Sequence, residues 1–217
     1  ELRTALRGTA RYVYRTTNSE IRLATGTTVI DWSLDDDGRY DLRLATTAVG
    51  IVIVDVRSVG TLRGFGLAPE TYTERRVRRG ASHTAFDWDN RRLSFSRRPH
   101  ERPLLEGAQD RLSFQIQMML LGRAQPGLFR KGAEMIMPMV GLDDVTEYRF
   151  RTTGRSPAET GIGRFDALHV ERVTERDTDA RVEVWLVPEL GWLPVRLRFT
   201  DRLGRVTESV LESMQTS

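Results

Sequence analysis

The alternation of apolar and polar residues along most of this chain is the feature that most limits its fold. In RYDLRLAT, residues 39–46, Tyr40, Leu42 and Leu44 alternate with charged residues. Successive side chains of a β-strand point to opposite faces, so a period of two predicts strands with one buried and one solvated face. Such strands are typical of antiparallel sheets, because strands of parallel sheets are usually apolar on both faces.

Turn residues recur at short intervals between these segments. DDDG at 35–38, ELGW at 189–192 and DRLG at 201–204 each separate two strand-like stretches. Gly and Asp readily adopt the positive backbone angles of tight hairpin turns, so the spacing predicts an up-and-down meander. A meander of this length has to curl. We therefore predict a mainly β fold in which residues 1–217 form a single domain, a strongly curved antiparallel sheet or open barrel.

The strand windows can be placed only to within a few residues. We expect roughly ten strands, because some windows should merge or fail. The windows are about 8–17, 20–33, 38–48, 51–61, 70–78, 82–88, 91–97, 145–153, 164–174, 180–187, 193–200 and 205–212.

One stretch, LEGAQDRLSFQIQMMLLG at 105–122, has a helical pattern instead. Asp110 is suited to an N-cap and Gly122 to a stop, which predicts an α-helix over about 110–121. Its apolar residues form two neighbouring stripes: Leu112, Ile116, Met119 and Leu120 in one, and Phe114, Met118 and Leu121 in the other. A helix this apolar should be covered on most sides, and it is too short to span a bilayer.

Two placements of this helix satisfy that requirement. In one, the helix is a plug that lies in the concave face of the sheet and completes the core. In the other, it is a lid over an apolar cavity, whose methionines adapt to a lipid-like ligand, although methionine also fills irregular core gaps. Five of the six methionines lie between 118 and 139. The predicted ligand-binding residues are Leu112, Phe114, Ile116, Met118, Met119, Met135, Met137 and Met139.

The composition excludes several classes of function. Cysteine is absent, so disulfides, thiol nucleophiles and thiolate metal sites are excluded. The net charge is +3, and the basic residues, all arginine except Lys131, are interspersed with acidic ones, so we expect no nucleic-acid surface. No apolar run approaches the roughly 20 residues of a transmembrane helix, and the first 15 residues contain no export signal.

A catalytic or metal site finds little support in the residue pattern. His83, Asp87 and Asp89 offer metal-ligand chemistry, and the two aspartates would lie on one side of a strand, as a glycoside hydrolase requires. FDWDN, residues 86–90, is more simply a hairpin with DN as its turn. We predict no catalytic residues, no metal and no cofactor, and keep a carbohydrate-active hydrolase using Asp87 and Asp89 as an alternative.

Four motifs taken together resemble a known family. They are GLAPETYTERR (66–76), AFDWDNRRLSF (85–95), LEGAQDRLSFQIQ (105–117) and WLVPELGWLPVRLRFTDRLGRVTESVLE (185–212). They resemble the exported bacterial proteins grouped as domain of unknown function 3108. The resemblance implies a periplasmic or envelope location, after a signal segment that is not present in this chain, and it implies no activity.

The last third of the chain is also similar to the end of the periplasmic lipoprotein carriers, whose fold is an incomplete antiparallel barrel with helices covering its mouth. We therefore expect an exported, non-enzymatic envelope protein that holds a lipid or other apolar ligand. The alternative is a structural or protein-interaction factor with a filled interior and a partner protein in the envelope.

Overall fold

A computed structural model of the chain describes residues 8–20, 25–77 and 79–217. Part of the predicted strand window 20–33, namely 21–24, lies outside the described residues, as does position 78 at the end of another window. The first seven residues, which entered the search for an export signal, also lie outside them.

The described residues form strands almost throughout, with one α-helix near the middle. The strands before the helix are β1 (Gly8–Asn18), β2 (Gly26–Leu34), β3 (Arg39–Ala48), β4 (Ile51–Arg63), β5 (Gly66–Arg76), β6 (Gly80–Asp87), β7 (Arg92–Phe95), β8 (Glu101–Pro103) and β9 (Gln109–Asp110). Helix α1 (Ser113–Ala124) is followed by a 3₁₀ turn (Pro126–Phe129). The later strands are β10 (Glu134–Val140), β11 (Val145–Thr160), β12 (Gly163–Arg172), β13 (Arg181–Val187), β14 (Leu193–Thr200) and β15 (Val206–Thr216), with a 3₁₀ turn (Pro188–Leu190) between β13 and β14.

All the strands of the described residues belong to one 15-stranded sheet, in the order β8-β7-β6-β5-β4-β3-β2-β1-β15-β14-β13-β12-β11-β10-β9. The neighbours are antiparallel except β9 and β10, which pair in parallel over two residues. The first and last strands pair with each other, from Ala10 opposite Thr216 to Asn18 opposite Thr207. The two edge strands, β8 and β9, are separated in sequence only by residues 104–108, so the sheet curls until its edges are close together.

The prediction of a mainly β, strongly curved antiparallel meander with one apolar helix is confirmed, and the sheet is not closed into a barrel. Three strands fall outside the predicted windows: β8, β9 and β10. The helix runs over 113–124, so the predicted range of about 110–121 is wrong by about three residues at each end.

The two faces of the sheet differ as the alternation predicts. Tyr40 and Leu42 of β3 are buried, whereas Arg39 and Arg43 are exposed. The outer face carries ion pairs between neighbouring strands, such as Arg11 with Asp31 on β1 and β2. Exposed pairs of this kind contribute little to stability, so burial of the inner face against α1 dominates.

Candidate functional site

Helix α1 fills the hollow of the curled sheet and is covered on all sides along most of its length. Residues 113–120 are buried, including Gln115 and Gln117, and so is Gly122. All eight predicted ligand-binding residues are buried as well. Of the two placements expected from the sequence, the helix takes the plug rather than the lid.

The two stripes of α1 pack into different groups of core residues. Leu112, Ile116 and Met119 join a large cluster that also contains Tyr14 and Leu42. The other stripe joins the methionine cluster, which consists of Phe114, Met118, Phe129, Met135, Met137, Met139, Phe150, Val170, Val184 and Leu186. The structure therefore brings together five of the eight predicted residues in the methionine cluster and places Leu112, Ile116 and Met119 on the opposite side of the helix.

The start of α1 is fixed by the carboxylate of Asp110. Its Oδ1 accepts hydrogen bonds from the backbone N–H of Leu112 at 2.8 Å and of Ser113 at 2.7 Å, while Ser113 Oγ accepts one from the N–H of Asp110. This reciprocal arrangement is similar to a capping box, but it lies just ahead of the helix, whose N-cap is Leu112 without a side-chain cap. The prediction of Asp110 as the N-cap is therefore wrong by two residues, although its carboxylate bonds to the N–H groups where the helix begins.

Asp110 is also tied to the sheet. Ser58 Oγ of β4 donates a hydrogen bond to Asp110 Oδ2 at 2.5 Å, and the Tyr40 hydroxyl lies 3.0 Å from Ser58 Oγ. Asp110 is fully buried, and burial raises its pKa because these neutral donors only partly offset the loss of water around the charged carboxylate.

Two further anchors hold the middle and the end of the helix. Gln117 accepts a hydrogen bond from the N–H of Leu67 at 2.9 Å and donates one to the carbonyl of Phe65 at 2.8 Å. Arg123 donates to the carbonyl of Gly191 at 2.9 Å. Together with Asp110, these bonds connect α1 to β4, to the start of β5 and to the connection between β13 and β14.

Gly122 lies inside the helix, so its predicted role as a stop is wrong. A Cβ atom at this position would meet the indole ring of Trp192. Trp192 also packs against Phe129, with ring centroids 5.1 Å apart. The glycine therefore permits a close approach of the tryptophan to the helix instead of ending it.

Two buried polar atoms of the described residues lack a hydrogen-bond partner, Gln109 Oε1 and Thr152 Oγ1. Thr152 of β11 is 1% exposed, and its Oγ1 has no hydrogen-bond partner among the described residues. Residues two apart on a strand share a face, so Thr152 lies beside Phe150 of the methionine cluster, and it is paired with Val170, another member. The period of two in this strand placed Phe150 and Thr152 together, but the sequence did not show which cluster they join.

A second buried carboxylate, Glu74 of β5, has charged partners. It forms an ion pair with Arg76, it accepts a hydrogen bond from the Tyr72 hydroxyl at 2.7 Å, and Arg111 lies 3.8 Å away. Burial opposes its ionisation, but Arg76, assisted by Tyr72 and Arg111, outweighs that effect and lowers the pKa of Glu74. Glu74 was not among the functional residues predicted from the sequence.

The residues considered for metal binding or hydrolysis lie apart from the helix. Asp87 accepts hydrogen bonds from the backbone and side chain of Asn90, which confirms the hairpin between β6 and β7. Asp89 is exposed in that turn, and the His83 ring contacts Thr73. Within the described ranges, no group of three or more His, Asp or Glu residues could hold a metal ion.

A hollow of about 1030 Å³ opens on the outer face of β1 to β5. Its walls include the ion pairs Arg11–Asp31, Arg43–Asp55 and Arg57–Asp41. Because most of its charges neutralise each other in these pairs, the hollow offers no concentrated charge for a ligand.

Comparison with known proteins supports the fold and gives no activity. The family described as Protein of unknown function (DUF3108) matches residues 11–210. No curated protein matches the sequence. In the part of the chain that the structure describes, no helix is long and apolar enough to cross a membrane.

Solved structures show the same architecture. The beta-barrel-like protein of domain of unknown function DUF1849 from Brucella abortus matches with a TM-score of 0.62 and 12% identity, over 97% of this chain and 98% of that one. At this identity the match establishes the fold alone.

Two further solved structures match with lower scores. One is the Pseudomonas aeruginosa MucA/MucB complex, with a TM-score of 0.42 and 13% identity over 100% of this chain and 54% of that one. The other, described as an outer membrane lipoprotein-sorting protein domain from Vibrio parahaemolyticus, has a TM-score of 0.32 and 8% identity, over 99% of this chain and 89% of that one. Scores this low carry no argument about function.

Proposed function

This chain belongs to the DUF3108 family of proteins of unknown function, and we propose that it binds an apolar or amphipathic, lipid-like molecule in the methionine cluster beside α1. The observation that carries the proposal is the methionine-rich contact between α1 and the sheet, in which Phe114 and Met118 pack in an apolar cluster. The hydrogen bonds that hold the helix come from other residues, namely Asp110, Gln117 and Arg123.

The methionine cluster is suited to a ligand that binds by displacing side chains from a filled interior. Four of its ten members are methionines, whose unbranched side chains change rotamer at little cost and adapt to irregular apolar shapes. A lipid chain can displace their side chains while the hydrogen bonds of Asp110, Gln117 and Arg123 keep the helix in place. Binding then needs no preformed cavity.

The unpaired hydroxyl of Thr152 supports an amphipathic rather than a purely apolar ligand. A buried hydroxyl without a partner destabilises a protein by about 1–3 kcal/mol. A carboxyl, ester or hydroxyl group of a bound lipid would give Thr152 Oγ1 its missing hydrogen bond, and this part of the protein would gain stability on binding.

We further propose an envelope location and a non-enzymatic role. The location rests on the resemblance to exported bacterial proteins. The non-enzymatic role is supported by the contacts of Asp87, whose carboxylate is held by Asn90 at the end of β6. Nothing in the comparisons points to catalysis.

A second candidate function is a protein-interaction factor of the envelope with a permanently filled interior. The complete burial of residues 113–120 favours it. The two candidates differ in whether the interior exchanges its packing for a ligand.

The test is native mass spectrometry of the protein exported into the periplasm of a Gram-negative host. We expect an added mass that corresponds to one lipid per chain. Extraction under denaturing conditions should release this lipid, so that it can be identified. Reproducible absence of bound lipid across preparations would contradict the proposal and leave the protein-interaction factor as the better account.

Replacing Thr152 by valine examines the polar group directly. T152V should increase the free energy of unfolding by about 1 kcal/mol, because an unpaired buried hydroxyl is replaced by a methyl group of similar size. The same variant should retain less lipid. Thr146 on β11 is exposed, so T146V is the matched control and should change stability by less than about 0.5 kcal/mol. A destabilised T152V would show that the hydroxyl is already satisfied.

A further inference from the structure

The β3–β4 hairpin carries apolar side chains into solvent at one end of the sheet. Val49, Ile51 and Val52 are 87%, 62% and 51% exposed. On the neighbouring β5–β6 connection, Val77 is 49% exposed, and its N–H donates to the carbonyl of Ile53 at 3.1 Å. We call Val49, Ile51, Val52 and Val77 the apolar tip.

The apolar tip projects beyond the core. Val56 is the last fully buried residue of β4 toward this end, and Val52 lies four residues further, roughly 13 Å along an extended strand. Ile51 and Val52 point to opposite faces, so both faces of the hairpin end are apolar. A hairpin that only had to remain soluble would carry polar residues on at least one face here.

The turn itself is made of residues that do not favour it. Val49 and Gly50 form a two-residue loop with φ values of 50° and 74°, as in a type I′ turn. That turn favours Asn or Asp at its first position, and a β-branched residue with positive φ is a strained exception. Trp192 also has positive φ, but it packs against Phe129 and Gly122, whereas Val49 is almost fully exposed.

The connections that carry the apolar tip hold basic residues, and the acids next to them in sequence, Asp55 and Glu74, are paired with Arg43 and Arg76. Residues 45–54 and 75–81, which include the two hairpin ends, contain four arginines, at 75, 76, 78 and 79, and no Asp or Glu. Arg76 is paired with Glu74, and Arg75 and Arg79 are exposed. Aliphatic side chains rimmed by arginine match the boundary between acyl chains and anionic headgroups of a bilayer.

We propose that the apolar tip docks the protein on a membrane surface that contains anionic lipids. Val49, Ile51, Val52 and Val77 enter the headgroup–acyl boundary, and the neighbouring arginines bind lipid phosphates. The strain at Val49 is then explained, because the turn places its side chain at the extreme end of the hairpin. This proposal does not depend on ligand binding in the interior.

The test is flotation with vesicles of phosphatidylcholine alone and of equal parts phosphatidylcholine and phosphatidylglycerol. The wild-type chain should float only with the anionic vesicles, and added salt should weaken its binding. The double variant I51T/V52T should bind about tenfold more weakly. R75Q and R79Q should each bind about fivefold more weakly to the anionic vesicles.

V49N separates docking from folding. Asparagine suits the positive φ, so the variant should unfold at a higher urea concentration than the wild type and yet bind anionic vesicles more weakly. Ile162, in the β11–β12 turn at the other end of the sheet, is 39% exposed, and I162T should bind as the wild type does.

Failure of the wild type to float with either vesicle would overturn the proposal and favour a protein partner for this surface. Unchanged binding of both V49N and I51T/V52T would also overturn it.

Discussion

The two buried carboxylates, Asp110 and Glu74, differ because their partners differ. Asp110 is surrounded by neutral donors, namely Ser58 Oγ and two backbone N–H groups, so burial raises its pKa. Glu74 is buried too, but Arg76 stabilises its charged form, and its pKa is lowered. For these two buried carboxylates, the charge of the partners affects the pKa more than the number of hydrogen bonds does.

Asp110 should lower the free energy of unfolding as pH rises, which is opposite to the effect of most carboxylates in folded proteins. Its pKa is raised in the folded protein, so the folded state holds the proton more tightly than the unfolded state, and this contribution decreases as pH rises above the ordinary value of 3.8. D110N keeps a side-chain oxygen for the N–H groups of Leu112 and Ser113 and does not titrate. Its free energy of unfolding relative to wild type should therefore increase with pH above that value, as urea denaturation at a series of pH values would measure. A difference that does not change with pH would contradict this assignment.

At the scale of elements, residue patterns predicted what is local. The two stripes of α1 and most of the strands were predicted because these periodic patterns involve neighbours in sequence. β10 was missed as a strand because EMIMPMV, with Pro138 and three methionines, has little alternation of apolar and polar residues. The role of Gly122 was missed because it is set by Trp192, 70 residues further along the chain.

Gly122 offers a prediction in which two effects have opposite signs. Alanine has a higher helix propensity than glycine by about 1 kcal/mol, so G122A would stabilise an unobstructed helix. Here the added methyl group meets the Trp192 ring, so we expect destabilisation by about 1–3 kcal/mol in thermal or urea unfolding. At Gly127 the nearest atom to an added Cβ is 3.9 Å away, and G127A should be nearly neutral. A stabilised G122A would mean that the tryptophan does not press on the helix.

At the scale of the whole molecule, the curl of the sheet depends on pairings between distant parts of the chain. β1 pairs with β15 although about 200 residues separate them, and no local pattern in either strand specifies that partner. Near the edge strands, Arg102 of β8 forms an ion pair at 2.9 Å with Asp144, just before β11. The length of the meander was enough to predict that the sheet curves and that its interior is filled. The pairing of the first strand with the last could not be predicted, because it is not specified by any local pattern.

The candidate site was predicted in composition and only partly in arrangement. The methionines were singled out correctly as interior residues, and five of the eight predicted residues form one cluster. The sequence could not show which residues anchor the helix, because Asp110 bonds to Ser58 and Gln117 to the backbone of β5, both distant in sequence. The methionine cluster, which contains none of these anchors, is the basis of the proposed function.

The most direct measurement of the central claim is a titration of delipidated protein with a dansyl-labelled fatty acid. Met137 faces the methionine cluster, and Ile136 on the same strand is 61% exposed, so M137W and I136W add the same bulk to opposite faces of β10. M137W should lose about 1–3 kcal/mol of stability through overpacking, so circular dichroism is used to verify that it folds. V184L is a milder substitution in the same cluster and replaces M137W if that variant does not fold.

If the methionine cluster binds a lipid, wild type and I136W should each bind one fatty acid per chain saturably. M137W or V184L should lose that binding. Equal binding by all the variants, or no binding by the wild type, would contradict the claim that the methionine cluster accepts a lipid.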